Sequence, residues 1–234
     1  LTWNVGSVAG ANMPSGITSL TLSNLANLTW NVGSVAGANM PSGITSLTLS
    51  NLANLTWNVG SVAGANMPSG ITYLYLINLA NLTWNVGSVA GANMPSKITS
   101  LYLHTLANLT WDVGSVAGAN MPANATSVTI VGTGTVTIEA TDILPAPMTT
   151  FRFENNLNQA AVDAVLAALY LAFPTRTGTA GTIDLLGTGN AAPTGVSPGS
   201  AECPPTTGWN TAYELVNDSC NVSPKHWASV SLQT

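Results

Sequence analysis

The chain has very few charged side chains for its length. Only 6% of its 234 residues are charged, and the first of them is Lys97, whereas soluble domains average roughly 25%. Solubility must therefore come from Ser, Thr and Asn side chains and from exposed backbone. Such a composition favours a rigid extracellular protein over a cytosolic one, which usually keeps charge to resist association.

Basic residues and long apolar runs are both scarce. The four basic residues are Lys97, Arg152, Arg176 and Lys225. A nucleic-acid partner would require a basic stripe that neutralises phosphates, so none is expected. The longest apolar run, residues 160–173, is interrupted by an Asp and is shorter than the roughly 20 residues that span a bilayer. The sequence therefore predicts no transmembrane segment.

Cysteine occurs only twice, as Cys203 and Cys220. Neither a CxxC motif nor a pair of His accompanies them, as a structural zinc site would require. We expect a disulfide, which would place the protein in an oxidising compartment. The alternative is two buried free thiols, because reduced Cys is often buried.

Residue patterns typical of catalysis are missing as well. His104 and His226 are far apart, and neither lies in a nucleophile motif. Glu139 and Asp142 lie in a Thr-rich segment that we interpret as a solvated turn. The segment Gly187 to Gly189 lacks the third glycine and the following helix of a dinucleotide site. We expect no enzyme activity, no cofactor and no metal site.

The sequence is instead rich in internal repetition. The segment LTWNVGSVAGANMPSGITSLTLSNLAN begins at Leu1 and recurs with a period of 27 residues. Two columns mark the phase: Trp3, Trp30, Trp57, Trp84 and Trp111, and Met13, Met40, Met67, Met94 and Met121, each Met being followed by Pro. A fixed period of 20–50 residues indicates a repeat architecture, in which stacked turns share a core that one turn cannot bury alone.

Within one unit, the apolar pattern is I-x-x-L-x-L-x-x-L-x-x-L, carried by Ile17, Leu20, Leu22, Leu25 and Leu28. This pattern resembles the leucine-rich-repeat family, whose x-L-x-L core is a short strand. The sequence MPSGITSLTL is similar to repeats of bacterial surface and phage-associated proteins. The family usually has Asn or Cys where this chain has Leu25, so the turn after the strand is expected to differ.

The alternation of side chains predicts one strand per turn. Leu20 and Leu22 should point inward, with Ser19, Thr21 and Ser23 outward. The equivalent segments 19–23, 46–50, 73–77, 100–104 and 127–131 should stack as an in-register parallel sheet, about 4.8 Å apart. A second extended segment should contain Leu28, Trp30 and Val32. We interpret the Trp column as buried packing, with a stacked aromatic binding platform as the alternative.

Seven N-x-S/T sequons occur, four of them at one repeat position. They begin at Asn27, Asn54, Asn81, Asn108, Asn124, Asn217 and Asn221. We interpret these residues as turn Asn side chains that hydrogen-bond nearby backbone. Glycosylation is the alternative in a eukaryotic secreted protein.

The repeat decays towards the C-terminus. Residues 148–156 form a shortened sixth turn, and residues 159–173 predict a helix with Asn158 as its cap. We divide the chain into a leucine-rich solenoid over residues 1–158 and an α/β capping region over residues 159–234, whose helix should cover the end of the sheet. No cap precedes Leu1, so the first turn should expose its apolar cross-section, to be covered by upstream repeats or by another molecule.

Differences between the repeats fall on one patch. They occupy outward strand positions or the strand entry, while the core leucines and the GSVAGANMP segment do not change. The changed residues are Tyr73, Tyr75, Ile77, Lys97, Tyr102 and His104. Variation on a solvent face is typical of a recognition surface, and Tyr is a favoured anchor there. Drift at exposed positions is the alternative. We expect the three Tyr rings to be exposed and in mutual contact.

The sequence thus predicts a parallel β-solenoid with 27-residue turns that acts without catalysis. Its concave face would bind a protein or glycan on a cell surface, as an extracellular or virion-borne adhesion module. The principal alternative is a structural subunit of an extracellular fibre built from copies of itself, since its charge-free sides could pack together without burying charge. A minor alternative is ice or polysaccharide binding through the Ser/Thr ladder.

Overall fold

A computed structural model describes the chain over residues 3–4, 13–33, 40–60, 67–86, 94–113, 121–142, 144–178, 181–187, 189–197, 199–220 and 226–234. The chain folds as a parallel β-solenoid with a small helical region towards its C-terminus. The inner part of each invariant GSVAGANMP segment lies outside the described residues, and so do Asn221 and Lys225.

The larger of the two sheets has eight parallel strands. Six of them come from successive turns: β2 (Ser19–Ser23), β4 (Ser46–Ser50), β6 (Tyr73–Ile77), β8 (Ser100–His104), β10 (Ser127–Val131) and β12 (Thr150–Glu154). They pair in strict register, with Leu20 opposite Leu47 and Leu74 opposite Leu101. The equivalent Thr of neighbouring turns are 27 residues apart early in the array and 23 apart at the last step. The predicted strand bounds, pairing and parallel direction are confirmed.

A second parallel sheet forms the opposite wall of the solenoid. Its six strands, in order across the sheet, are β1 (Trp3–Asn4), β3 (Leu28–Gly33), β5 (Leu55–Gly60), β7 (Leu82–Asn85), β9 (Asn108–Asp112) and β11 (Thr135–Thr137). The predicted second extended segment is therefore a strand. The six-stranded sheet ends at β11, whereas the eight-stranded sheet continues beyond that turn.

The core lies between these two sheets. Leu47, Leu49, Leu74 and Leu76 are fully buried, because the alternation of each strand turns them inward. The Trp column faces them from the second sheet: Trp30, Trp57, Trp84 and Trp111 are each at most 2% exposed. Burial at this level confirms the packing interpretation of the Trp column for these four turns. The four rings are not accessible to a ligand, so the alternative of an aromatic binding platform is wrong for them.

The turn after each strand of the larger sheet is built by an Asn. Asn24, Asn51 and Asn78 all adopt positive φ angles, of 57°, 53° and 51°. Asn tolerates this left-handed conformation better than most residues do. Their side chains form a ladder in which Asn51 Nδ2 donates to Asn24 Oδ1 at 2.7 Å, and Asn78 Nδ2 donates to Asn51 Oδ1 at 2.9 Å. The Asn that forms the turn is thus residue 24, one position before Leu25. This explains how the turn tolerates Leu where the leucine-rich-repeat pattern usually has Asn or Cys.

The sequon Asn residues form a second column of bonds between turns. Asn54 Nδ2 donates to the Ala26 carbonyl at 2.7 Å, and Asn81 Nδ2 donates to the Ala53 carbonyl at 2.9 Å. Asn108 repeats the contact in the next turn at 3.0 Å. The predicted role of these Asn side chains in binding backbone is therefore confirmed at these three positions, although the acceptors belong to the preceding turn.

The C-terminal region combines helices with a continuation of the larger sheet. Helix α1 (Gln159–Ala172) is capped by Asn158, whose side chain accepts from the Ala161 N–H at 2.9 Å, as predicted. A 3-10 turn (Phe173–Thr175) follows, then β13 (Thr182–Asp184), α2 (Gly208–Asn217) and β14 (Ser229–Ser231). Strands β13 and β14 extend the eight-stranded sheet, which therefore crosses the predicted boundary at residue 158. No described helix is long and apolar enough to cross a membrane.

One buried cation, Arg176, connects separate segments of the C-terminal region. Arg176 is 7% exposed, and its guanidinium lies 3.9 Å from the centre of the Trp227 ring. Its Nη1 donates to the His226 carbonyl at 2.8 Å, and its Nη2 donates to the Met148 carbonyl at 3.3 Å. Burial lowers the pKa of Arg176 from its ordinary value. The side chain joins the loop before β12 to the segment that enters β14.

The two cysteines are bonded, as predicted. The Cys203 and Cys220 sulfurs are 2.07 Å apart. The buried carboxylate of Glu214 on α2 supports the same loop, because it accepts from the Ser219 hydroxyl and from the Cys220 N–H.

The first strand of the larger sheet leaves apolar surface uncovered. Leu25 is 39% exposed, whereas the equivalent Leu52, Leu79 and Leu106 are fully buried beneath the preceding turn. Leu28 and Trp30 are nevertheless buried, at 2% and 1%, because β1 pairs alongside β3. Among the described residues of the first turn, the expected exposure is thus seen at Leu25.

Candidate recognition surface

Five of the six variable residues lie together on the outward face of the eight-stranded sheet. Register places Tyr75 opposite Tyr102, and Ile77 opposite His104. The core leucines between them point inward. We call this part of the face, from β6 to β8, the aromatic patch; it comprises Tyr73, Tyr75, Ile77, Tyr102 and His104. A strand-based scaffold of this kind holds side chains at fixed spacings.

The centre of the aromatic patch is a set of parallel rings. Tyr75 and Tyr102 stack with centroids 5.6 Å apart and planes inclined by 10°. The His104 ring lies parallel to Tyr102, at a centroid distance of 6.2 Å. Aromatic pairs at these distances contribute roughly 0.5–1.5 kcal/mol beyond the area that they bury. Both Tyr side chains are partly buried by their neighbours, which limits their rotation.

Polar contacts fix the same rings at two points. The Tyr75 hydroxyl lies 2.8 Å from the Ser100 hydroxyl, and Ser100 is only 9% exposed. His104 Nδ1 lies 2.8 Å from the Thr105 hydroxyl. Thr105 has a φ of 52° and occupies the turn position that is Asn in earlier repeats. The substitution of Asn by Thr therefore coincides with a new partner for His104.

Two predicted members of the surface stand apart from the stack. Tyr73 is 50% exposed and forms no ring contact within the described part of the chain. The expectation that all three Tyr rings touch one another is therefore wrong for Tyr73. Lys97 is exposed in the turn that precedes β8, and among the described residues it forms no ion pair. Ile77 is partly buried at the edge of the patch.

A charged cluster that was not predicted lies on the same face. Arg152 pairs with Glu154 on its own strand, and its Nε lies 3.6 Å from Asp184 Oδ2 on β13. The hydrogen bond to Glu154 is the main reason that the pKa of Arg152 is raised, with smaller contributions from Asp184 and Tyr102. Thr129 separates Tyr102 from Arg152 in register and is buried beneath them. The patch and the charged cluster are thus adjacent.

The sequence contained only part of the signal for this cluster. The alternation of β12, with Phe151 and Phe153 inward, puts Arg152 and Glu154 on the outward face. Asp184 could not be placed in this way, because the pairing of β13 with β12 follows no repeat period.

The outward face of the larger sheet offers aromatic rings, hydroxyls, one guanidinium and two carboxylates in fixed positions. Elsewhere, one group of His, Cys, Asp and Glu in the described residues has metal-ligand spacing, formed by Cys203, Glu214 and Cys220. Two of its three ligand atoms are the bonded sulfurs, which are not metal ligands in that state. Glu139 and Asp142 do lie in a turn, where the Asp142 carboxylate accepts from the Glu139 N–H at 2.8 Å. The interpretation of this turn as solvated is wrong for Asp142, which is only 1% exposed.

The fold defines the protein as a parallel β-solenoid of tandem repeats. Comparison with known protein families, with curated proteins and with solved structures finds no match to this chain. Membership of the leucine-rich-repeat family therefore stays a prediction from the repeat pattern.

Proposed function

We propose that the protein is a non-enzymatic recognition module that binds a protein or glycan on a cell surface through the outward face of its larger sheet. The observation that supports this most is the stacked pair Tyr75–Tyr102 with His104 beside it. These rings replace the Ser and Thr of earlier repeats while the buried leucines beneath them stay the same. Tyr at the centre of a binding patch commonly contributes much of the affinity.

The adjacent charged cluster would add selectivity to such a surface. Arg152, Glu154 and Asp184 form a compact group whose donors and acceptors have fixed positions. Charged groups at the rim of an interface steer the approach of a ligand and disfavour wrong partners more than they add affinity. Aromatic anchors beside such a rim suit a ligand with both apolar and hydrogen-bonding faces.

An extracellular location is part of this proposal. The Cys203–Cys220 disulfide supports it, because disulfides persist mainly in oxidising compartments. The low content of charged residues supports it as well.

The decisive test replaces both stacked tyrosines by the Thr of earlier repeats. The variant Tyr75→Thr/Tyr102→Thr restores a sequence already present at Thr21 and Thr48, so the fold should survive. Binding of the fluorescently labelled protein to a glycan array and to whole cells should weaken by roughly thirtyfold, or about 2 kcal/mol. Tyr213→Thr, on α2, is the matched control and should bind as the unmodified protein does. Unchanged binding of the double variant would refute the proposal.

Self-association is the second candidate, and the exposure of Leu25 favours it. This side chain is 39% exposed at the open edge of the larger sheet, where its equivalents in later turns are buried. Sedimentation velocity of the protein and of Leu25→Asn across a wide concentration range separates the two functions. Assembly that Leu25→Asn abolishes would support a fibre subunit. The Ser/Thr ladder has no such support, since the aromatic patch interrupts it.

A further inference from the structure

The six-stranded sheet ends before the eight-stranded sheet does. Its last strand, β11, has β9 on one side, while the larger sheet goes on through β12, β13 and β14. The space on the other side of β11 faces α1 and not another strand of the sheet. The helix therefore lies beside the free edge of this strand.

The backbone of β11 presents unpaired groups along that edge. The Thr137 carbonyl accepts from the Val113 N–H at 3.1 Å, so the polar backbone groups of Thr137 face β9. Backbone groups of successive residues in a strand point to opposite sides, so those of Val136 and Ile138 face α1. No partner for them exists within the described residues. Two residues before Val136, the Gly134 carbonyl accepts from Asn155 Nδ2 at 3.1 Å.

A groove of about 230 Å³ separates this edge from the helix. Its strand side is formed by Val136 and Ile138, and its helix side by Ala160, Ala161 and Ala164. The alanines leave the space open, because a larger side chain at any of these positions would project into it. Phe153, Leu157 and Val165 also line the groove, which makes it predominantly apolar.

One end of the groove is acidic. Glu139 follows Ile138 directly, lines the groove and is exposed. An exposed carboxylate at the mouth of an apolar groove favours a ligand that carries positive charge.

We propose that this groove binds an extended, cationic segment of a partner protein, which adds a seventh strand beside β11. Its backbone would pair with the groups of Val136 and Ile138, for which the described part of the chain provides no partner. A small apolar side chain of the segment would enter the space beside Ala161 and Ala164. A Lys or Arg of the segment would lie next to Glu139.

A synthetic peptide tests the proposal directly. The probe is a fluorescein-labelled Thr-Val-Lys-Val-Thr-Lys peptide with blocked ends, and anisotropy measures its binding to the full chain. Binding should protect the amide hydrogens of Val136 and Ile138 from exchange. Ala164→Leu should weaken binding about tenfold by filling the groove. The matched control Ala167→Leu, on the same helix but outside the lining, should leave binding unchanged.

Two further comparisons keep the outcome independent of the fold of any one variant. Glu139→Gln should weaken binding of the Lys peptide severalfold and leave binding of its Gln counterpart unchanged. N-methylation of alternate peptide residues should abolish binding, because it removes the backbone donors. The proposal is overturned if the peptide fails to bind at millimolar concentration, or if the methylated peptide binds equally well. Tyr75→Thr/Tyr102→Thr should retain peptide binding, so this result is separate from the proposed recognition function.

Discussion

Single residues with an unusual backbone conformation set the turns of this solenoid. Asn24, Asn51 and Asn78 each place the chain in the left-handed region at the end of a strand and bond to one another between turns. The left-handed conformation costs other L-residues roughly 1–2 kcal/mol. Two properties of Asn are therefore used at once: its tolerance of positive φ and its side-chain amide.

Two substitutions at Asn51 separate these contributions. Asn51→Gly removes the ladder bonds but permits the 53° φ angle. Asn51→Ala removes the same bonds and adds backbone strain, so it should be less stable than Asn51→Gly by about 1 kcal/mol. Urea unfolding of the two variants gives this difference. Equal stability would mean that the left-handed conformation at position 51 imposes no strain on a residue that has a Cβ.

A buried carboxylate predicts a pH dependence. Burial is the main reason that the pKa of Asp142 is raised above its ordinary value of 3.8, and the nearby Asp112 and Glu139 add to the effect. The folded state therefore binds a proton more tightly than the unfolded state does. Its contribution to stability falls as the pH rises from 3.8 through the raised pKa. Asp142→Asn keeps an acceptor for the Glu139 N–H but cannot ionise.

Urea unfolding at several pH values between 4 and 7 measures this effect. The stability of Asp142→Asn relative to the unmodified protein should increase as the pH rises over that range, because the unmodified protein loses stability there. Taking the difference cancels the titration of carboxylates that do not interact with Asp142. A difference that is constant with pH, or that decreases, would show that the Asp142 pKa is not raised in the folded protein.

Among the elements, local sequence patterns predicted the strands that repeat. They did not predict the strand pairings outside the repeat. Alternation in SLTLS and its copies predicted the five strands with their bounds, because each inward Leu has an identical neighbour one turn away. The extension of the larger sheet by β13 and β14 was not predicted, since those pairings join segments of unrelated sequence. The separation of Tyr73 from the other rings was missed as well, because strand register fixes Cα positions and not side-chain rotamers.

Arg176 holds the segment that enters β14 against the loop before β12. Its guanidinium bonds the Met148 and His226 carbonyls and covers the Trp227 ring. Lys cannot form this planar, forked set of contacts. Arg176→Lys should therefore destabilise the region by about 2 kcal/mol, as is usual for lost hydrogen bonds to a charged group. Amide exchange should accelerate at Val230 in β14 and remain slow at Leu74 in β6. Uniform acceleration in both strands would contradict this local role.

At the scale of the whole molecule, stacked turns provide the framework on which function is proposed. The buried leucines and tryptophans repeat from turn to turn, so outward positions can change without altering the core. This independence is why the aromatic patch can differ from earlier repeats while its strands keep their register. The binding proposals and the solenoid architecture are therefore separable, and the architecture can be tested first.

Distances between spin labels on one outward column test the stacking most directly. Labels are attached to Cys introduced in pairs at Ser19 with Ser127, Thr150 or Thr182, which lie four, five and six strands apart in the larger sheet. The native cysteines are bonded and do not react. Stacked parallel strands should give distances of about 19, 24 and 29 Å, an increase of about 4.8 Å per strand. Distances that do not increase in this order would contradict the parallel solenoid.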